Sequence, residues 1–266
     1  MQPPSTSLPH HTATFDWRDR LRAACIHLGL SALVAALAAL LVFGLWYPFP
    51  YREISGGRDL FVLVVSVDVV LGPLITFAVF DRAKPRRELK RDLVIVGVLQ
   101  LAGLLYGLWT VDQARPVHMV FEIDRFRVVH LIDIPSEMEA RAPAGIEVAP
   151  WGGPTLIAAR PFRSEKESFD ATMAALQGVQ IGARPDFWQP YAEARAEVLK
   201  AAKPVTQLQS RFPQRAAEID AALKRAGHTA ADTAYLPVIA RKAEAWTVLL
   251  DGKTAAVLGY VPVDSF

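Results

Sequence analysis

Three long runs of apolar residues dominate the first part of the chain, and short polar segments separate them. The runs cover residues 23–47, 60–80 and 93–111. A helix of about 20 apolar residues crosses the roughly 30 Å hydrocarbon core of a bilayer. The pattern therefore predicts three transmembrane helices within a membrane region at residues 21–112.

After the third run the pattern changes to short alternations of the kind found in folded aqueous domains. Segments rich in β-branched and aromatic residues predict strands at 117–123 and 126–134, joined by a tight hairpin at Asp124-Arg125. Helices are predicted where apolar residues recur at helical spacing. The further predicted strands are 155–162, 235–240, 245–250 and 255–261, and the predicted helices are 164–176, 190–201 and 213–226.

The first of these helices has the clearest start signal. Ser164 is its expected N-cap, and Glu167 follows three residues later, as in a capping box. Phe169, Met173 and Leu176 then recur at helical spacing. The predicted fold class is a membrane protein with three N-terminal transmembrane α-helices followed by an α+β extracytoplasmic domain at residues 115–266.

The segment between the first two runs predicts a turn at the membrane surface. Pro48 and Pro50 end the first helix, and Gly56-Gly57 permit a reversal. Amphipathic aromatic rings favour the headgroup level. The aromatic residues expected there are Trp46, Tyr47, Phe49 and Tyr51.

Basic residues give the predicted orientation. Three arginines precede the first run, six Lys/Arg occupy residues 81–92, and only two occupy residues 48–59. By the positive-inside rule the N-terminus and residues 81–92 are cytoplasmic. Residues 1–20, of which the first 16 are rich in Pro, Ser, Thr and His, are predicted to form a disordered cytoplasmic tail.

Composition narrows the possible functions. Hydrophobic residues make up 52% of the 266-residue chain, and the mean hydropathy is +0.22. Residues 115–266 contain 18 Lys/Arg and 18 Asp/Glu, so they carry no basic field that would attract nucleic acid. The single cysteine, Cys25, excludes an intramolecular disulfide and a cysteine-based zinc site.

Each predicted span carries one stripe of small or polar residues at helical spacing. Lipid does not drive helices together, so close approach at small residues and hydrogen bonds between polar groups hold such bundles. We therefore expect the stripes to serve helix packing or partner binding. They are His27, Ser31, Ala35 and Ala38 in the first span, Asp68, Gly72 and Thr76 in the second, and Gln100, Gly103, Gly107 and Thr110 in the third.

Asp68 needs an explanation because an ionisable side chain inside a membrane is costly unless it is paired. Counting from the ends of the apolar runs places Tyr106 or Gln100 within reach of Asp68, and His27 near the opposite surface. A structural bond within the bundle, a docking contact and a proton relay all stay open. Pro73, beside Gly72, predicts a kink next to this acid, either merely tolerated or functional.

The predicted extracytoplasmic domain contains no catalytic motif that the sequence reveals. His118 and Glu122 would share one face of a strand, but no third residue is spaced to complete a metal site. We therefore expect no enzymatic activity, no metal and no cofactor.

Taken as an ordered series, these segments resemble the type IV pilin accessory proteins, an inner-membrane family encoded with certain pilins in Gram-negative bacteria. The resemblance covers about residues 20–130. It rests on HLGLSAL, WYPFPY with the Gly-Gly turn, VDVVLGPLIT, RRELKRDL, Gln100, Tyr106-Gly107, and RPV followed by FEIDRF.

The resemblance implies that the protein assists assembly of its cognate major pilin at the bacterial inner membrane, with the C-terminal domain in the periplasm. Inner-membrane lipid and the pilus assembly machinery are the further implied partners. A pilin has an apolar N-terminal helix that bears a carboxylate and a globular head outside the membrane. A groove among the spans would suit the helix, and an outer domain would suit the head, partly by strand addition at an exposed sheet edge.

Two other classes of function stay open. A membrane-bound periplasmic ligand-binding sensor would need a cytoplasmic output, for which the predicted tail and the 12-residue loop at 81–92 leave little room. An intramembrane proton or solute carrier that uses Asp68 would have few spans and a single clear acid.

Overall fold

The computed structural model describes residues 16–242 and 245–266. Its helices and strands fall into an apolar N-terminal series and a mixed α/β series. The helices are α1 (Trp17–Leu41), α2 (Tyr51–Ile54), α3 (Gly57–Val79), α4 (Arg86–Gln113), α5 (Glu165–Leu176), α6 (Arg195–Ala201), α7 (Val205–Arg211) and α8 (Ala216–Ala226). The strands are β1 (Pro116–Glu122), β2 (Arg125–His130), β3 (Thr155–Ala159), β4 (Trp188–Pro190), β5 (Lys203–Pro204), β6 (Thr233–Ile239), β7 (Trp246–Asp251) and β8 (Val257–Val261).

Three of the helices are long and apolar enough to cross a membrane. They are α1 with the π-helical turn that continues it to Trp46, α3 and α4. The predicted series of three apolar N-terminal helices followed by a mixed α/β domain is therefore confirmed in outline. Their status as membrane spans rests on length and composition.

The first helix begins earlier than the apolar run predicts. It starts at Trp17 because the Asp16 carboxylate accepts hydrogen bonds from the backbone N–H groups of Arg18 and Asp19, at 3.2 and 3.4 Å. The polar turn before the apolar run is therefore helical. Residues 1–15 of the predicted tail lie outside the described residues.

The described chain divides into two compact units. The helical unit contains residues 16–37 and 63–107, and the sheet unit contains residues 38–62 and 108–266. The sheet unit therefore contains the whole first connecting loop, the adjoining ends of α1, α3 and α4, and the mixed sheet.

The sheet unit is organised around an eight-stranded sheet with the order β4-β3-β1-β2-β6-β7-β8, in which β5 also pairs with β6. The β1–β2 and β6–β7–β8 pairings are antiparallel, whereas β1–β3 and β2–β6 are parallel. Helices α7 and α8 cover one part of the sheet, where Leu208 and Ile219 pack with Leu249. Helix α6 covers another part, where Val198 packs with Val248.

The predicted hairpin is confirmed with a shift of one residue in its turn. Glu122 pairs with Arg125, so Ile123 and Asp124 form the turn instead of Asp124 and Arg125. Ile123 adopts a positive φ of 60° there, a conformation that is uncommon for a β-branched residue. The two-residue loop matches the right-handed twist of the strands only when a residue takes that conformation.

The first connecting loop belongs to the core of the sheet unit. Tyr51 and Ile54 of α2 are buried in one cluster with Met119 and Phe121 of β1. The Ile54 carbonyl accepts a hydrogen bond from the backbone N–H of Lys242, at 3.1 Å. Burial of these apolar groups, instead of exposure at a surface, fixes the loop to the sheet.

The aromatic residues of this loop are therefore divided between core and surface, unlike the shared headgroup position that the sequence predicts. Tyr47 is fully buried and donates a hydrogen bond from its hydroxyl to the Val111 carbonyl, at 3.2 Å. Tyr51 is also buried, whereas Phe49 is 52% exposed and packs edge-on against Trp246. Aromatic burial in a preformed core outweighs the interfacial preference of Tyr47 and Tyr51.

The predicted N-cap of helix α5 is confirmed, but the helix buries a different face from the one that its apolar spacing predicts. The Ser164 hydroxyl accepts a hydrogen bond from the Glu167 backbone N–H, at 3.1 Å. Phe169 and Leu176 are nevertheless 62% and 77% exposed, and the buried residue of the helix is Ala171. The helix therefore buries the small side chain of Ala171, and Phe169 and Leu176 face outward.

The other two predicted helices are shorter than expected. Residues 191–194 and 213–215 form 3-10 turns, and the α-helical hydrogen bonding begins only at Arg195 and Ala216. Gly227 ends α8 with a positive φ of 74°, as predicted.

His118 is a buried histidine in the centre of β1. Its Nδ1 lies 2.7 Å from the Thr155 hydroxyl and its Nε2 lies 3.2 Å from the Val148 carbonyl oxygen. Burial lowers the pKa of His118 to about 4. The folded sheet unit therefore holds this ring in its neutral form at neutral pH.

The Tyr51→Ala substitution tests the contribution of the connecting loop to the core. We expect it to lower the free energy of unfolding of the sheet unit by about 3–5 kcal/mol, because it empties a buried aromatic site. The matched Phe49→Ala variant removes a half-exposed ring and should cost less than about 1 kcal/mol. Urea unfolding of the full chain in detergent measures both, and equal costs would refute the buried role of Tyr51.

The low pKa of His118 predicts acid sensitivity. The unfolded ring takes up a proton near pH 6.5 and the folded ring only near pH 4, so stability is complete above pH 6.5 and falls as the pH is lowered between these values. At pH 5 the loss is about 2 kcal/mol. Urea unfolding monitored by tryptophan fluorescence reports this change, since Trp188 lies 4.6 Å from the His118 ring.

The control for this prediction is His118→Gln, which keeps a polar group at the position and removes the titration. Its stability should fall less between pH 7 and pH 5 than that of the wild type. Identical pH slopes in the two proteins would show that His118 is not the responsible group.

Candidate functional site

The three apolar helices line an open cavity in the helical unit. Its volume is about 550 Å³, and most of its wall is apolar. All three helices contribute to it, and its polar side chains come mainly from the predicted stripes. The polar residues that line it are His27, Ser31, Asp68, Thr76 and Gln100.

Gln100 joins α4 to α3 at the back of the cavity. Its side-chain amide donates a hydrogen bond to the backbone carbonyl of Asp68, at 3.2 Å. This contact requires a glycine at position 72, because a methyl group there would collide with the Gln100 amide. The predicted partnership of Gln100 with Asp68 thus involves the main chain of Asp68 instead of its carboxylate.

His27 joins α1 to the same helix about two turns further along. Its Nδ1 lies 2.5 Å from the hydroxyl of Thr76, which is buried. His27 and Asp68 line the same cavity and interact electrostatically. The hydrogen bond of His27 therefore goes to Thr76, about two turns from Asp68, and the sequence-based expectation that His27 does not reach the Asp68 carboxylate stays a prediction.

Arg20 makes a second set of contacts between α1 and α3. Its Nη1 donates a hydrogen bond to the Ala78 carbonyl at 2.8 Å, and its Nη2 pairs with Asp81 at 2.9 Å. Carbonyl groups in the last turn of a helix lack partners within the helix, and a guanidinium satisfies them while opposing the helix dipole. One of the arginines that predict orientation therefore also attaches α1 to the end of α3.

The Asp68 carboxylate lines the cavity and is partly exposed. Within the described residues, the hydrogen bonds of the helical unit do not include one donated to this carboxylate. An ionisable group in an apolar setting is stabilised by a donor or a counter-charge. The cavity therefore presents an acceptor that a bound molecule could satisfy.

The remaining residues singled out from the sequence occupy different positions. At Gly107 a methyl group would collide with Val64 of α3, so the helices approach closely there, whereas Gly103 has open space around it. Pro73 lies within the continuous helix α3. Tyr106 is 68% exposed and is not among the cavity-lining residues.

The α4 residues that form one wall of the cavity were not all predicted from the sequence. This wall follows the spacing i, i+4, i+7, i+8 and i+11, which is one helical face. The stripe read from the sequence shares only Gln100 with it, because the stripe followed glycines and the wall includes leucines. The wall residues on α4 are Leu93, Gly97, Gln100, Leu101 and Leu104.

The two polar residues noted on β1 have separate structural contacts. Glu122 accepts a hydrogen bond from the Arg127 side chain at 2.6 Å and from the Gly182 backbone at 2.8 Å. His118 has the contacts described above. Among residues 16–242 and 245–266, no three His, Cys, Asp or Glu side chains are grouped to hold a metal ion.

Comparison with known proteins gives a consistent set of relatives. Residues 15–56 match the family model described as fimbrial assembly protein FimB. The fimbrial assembly protein of serogroup I from Dichelobacter nodosus is 34% identical over 245 residues, which cover 91% of this chain and 94% of that protein. The serogroup E1 protein of the same organism is 33% identical over 242 residues, with the same coverage. No solved structure gives a significant match.

The two glycines of α4 provide a matched test of helix packing. Gly107→Val should destabilise the helical unit by about 1–3 kcal/mol, because the new side chain meets Val64. Gly103→Val introduces the same residue into the same helix where space is open, and its effect should stay within about 0.5 kcal/mol. Thermal stability of the purified chain in detergent measures the difference. Equal melting temperatures would exclude a specific close approach at Gly107.

Proposed function

Because the chain belongs to the family of fimbrial assembly proteins, we propose that it is an accessory factor that handles type IV pilin during pilus assembly at the bacterial inner membrane. The N-terminus and residues 81–92 are cytoplasmic in this proposal, and the sheet unit is periplasmic. The role is that of a chaperone and requires no catalytic step.

The observation that carries the proposal is the cavity of the helical unit. It combines an apolar wall with polar groups on α1, α3 and α4. A pilin N-terminal helix is apolar and bears a carboxylate, and the ring of His27 and the amide of Gln100 provide nitrogen-bound hydrogens for such a group. Asp68 is an acceptor for donors on the same guest helix.

The fit follows from how helices associate in lipid. Lipid tails are as apolar as a pilin helix, so the hydrophobic effect does not drive the helix from the lipid into the cavity. Hydrogen bonds and close packing are the remaining attractions. A cavity that offers both is a suitable holding site for one apolar helix.

The sheet unit has an edge suited to the pilin head. Strand β8 is the last strand in the sheet order and pairs with β7. An extended segment of a partner can add to such an edge through main-chain hydrogen bonds. In this proposal β8 supplies the second contact with pilin, and the pilus assembly machinery receives the subunit from this complex.

Site-specific photocrosslinking in cells that make pili tests the proposal. Benzoylphenylalanine replaces Val34 or Leu101, which line the cavity, or Leu33 or Leu99, which are exposed on the same helices outside it. We expect the pilin to be captured from the two cavity positions several times more efficiently than from the two control positions. Capture identified by mass spectrometry as pilin is the measured result.

The outcome that contradicts the proposal is equal capture from cavity and control positions, or no capture from the cavity in cells with normal surface pili. Variants that fail to complement a deletion strain for pili are excluded before crosslinking, since misfolded protein gives no information on the cavity.

A further inference from the structure

A second, more polar pocket lies in the sheet unit. Its volume is about 360 Å³, and polar atoms contribute most of its surface. It is lined by residues from the end of β2, from the turn that follows, from the segment after α5 and from the segment after β6. The lining residues that matter for its chemistry are Arg127, His130, Ile132, Asp133, Gln180 and Arg241.

The pocket exists because two parallel strands separate. Strand β2 continues to His130, but it pairs with β6 only at Phe126 and Arg127. Strand β6 ends at Ile239, which is the residue that pairs with Arg127. The second half of β2 therefore lacks a neighbour in β6, and the resulting gap is part of the pocket.

Two arginine side chains line the gap, and each uses only part of its hydrogen-bonding capacity in ion pairs. Arg127 uses its Nε to bond Glu122, and its two terminal nitrogens make no hydrogen bond within the described residues. Arg241 uses Nη2 in an ion pair with Asp133, at 3.2 Å. Each guanidinium carries five N–H donors, so most of them stay available to a ligand.

The charges around the pocket balance, so its donors matter more than its net charge. Arg127 and Arg241 contribute two positive charges and Asp133 one negative charge. Glu122, which is 5% exposed and bonds Arg127, adds a second negative charge behind the wall. With His130 neutral these groups sum to zero, and an anion would be held by the guanidinium N–H donors that the two ion pairs leave unused.

His130 adds an unpaired acceptor. The side chain is 1% exposed, and its Nδ1 lies 3.0 Å from the Asp133 carboxylate, which assigns the ring proton to Nδ1. Burial lowers the pKa of His130, so the ring is neutral at pH 7. Its Nε2 is buried without a hydrogen-bond partner among the described residues, an arrangement that is rare unless a ligand or water completes it.

We propose that this pocket binds the C-terminal carboxylate of a peptide. Arg127 and Arg241 hold the carboxylate, and His130 accepts a hydrogen bond from the adjacent amide N–H. Ile132, which is 61% exposed at the pocket, packs against the last side chain of the peptide. A peptide terminus supplies all three features together, whereas an inorganic anion supplies only the charge.

The test uses the full chain purified in detergent at pH 7 and a fluorescent peptide probe. The probe is Gly-Ser-Ala-Ala-Leu with a free C-terminal carboxylate and a fluorophore on its N-terminus, and anisotropy reports binding. We expect the corresponding C-terminal amide to bind at least about tenfold more weakly, since it loses the charge-assisted hydrogen bonds. Equal binding of acid and amide would overturn the proposal.

Variants of one arginine separate the pocket from nonspecific attraction. Arg241→Gln should weaken binding of the acid about tenfold, and Arg241→Lys should fall between this variant and the wild type because a lysine keeps the charge but loses the planar fork. Arg141→Gln removes an equal charge from an exposed position outside the pocket and should leave binding unchanged. Equal effects of Arg241→Gln and Arg141→Gln would exclude this pocket as the site.

Two further measurements test the identity of the ligand. Ile132→Ser should weaken binding of the peptide that ends in leucine more than that of one ending in glycine, and an equal effect on both would remove the proposed apolar contact. Acetate and an amidated peptide with an internal aspartate should compete poorly. Competition by either at the concentration of the terminal peptide would assign the pocket to a free carboxylate or to an acidic side chain and overturn the C-terminal assignment.

Thermal melting of each variant checks that the sheet unit is folded, and a variant that melts early is replaced by a change at the next lining residue, Gln180→Ala. The assay contains no pilin, so its result is independent of the proposed function. A failure to capture pilin from the helical unit would not contradict peptide binding at this pocket. A failure of the peptide to bind would not contradict the proposed handling of pilin.

Discussion

Close packing and hydrogen bonds between helices hold the helical unit together, because lipid provides no hydrophobic driving force for helix association. Helix α3 receives these contacts from both neighbours. Arg20 and His27 attach α1 to it near Ala78 and at Thr76, and Gln100 attaches α4 to it at the Asp68 carbonyl. Residues of all three helices line the cavity, and the groups that make these bonds, His27, Thr76 and Gln100, are among them.

The sheet unit depends on a different constraint, since its hydrophobic core is incomplete without the first connecting loop. Tyr51 and Ile54 are buried against Met119 and Phe121 even though more than 60 residues separate them in the chain. The predicted extracytoplasmic domain at 115–266 omits this loop, whereas the compact unit includes residues 38–62. A truncated protein that begins at residue 115 would therefore expose apolar surface that the full chain buries.

Local signals in the sequence predicted most elements of the fold. Apolar runs identify α1, α3 and α4, and β-branched alternation identifies β1, β2, β6, β7 and β8, because both patterns report a buried face directly. The orientation of α5 could not be predicted, because Phe169 and Leu176 have the spacing of a buried stripe and only the packing of Ala171 decides which face is covered.

The resemblance to type IV pilin accessory proteins is confirmed by relatives that match over nine-tenths of the chain.

The candidate site was predictable in its residue types and not in its geometry. Small and polar stripes identify Asp68, Gly72, Thr76 and Gln100, but the partner of each group depends on how the helices pack. The bond of His27 to Thr76 and the choice of the Asp68 carbonyl by Gln100 were therefore not predicted. The same polar groups also constrain what the cavity holds. A lipid acyl chain could fill an apolar space of about 550 Å³, but it has no group that donates to the Asp68 carboxylate or accepts from His27. A peptide helix can supply both through its side chains, which is why the proposed guest is a protein helix and not a lipid.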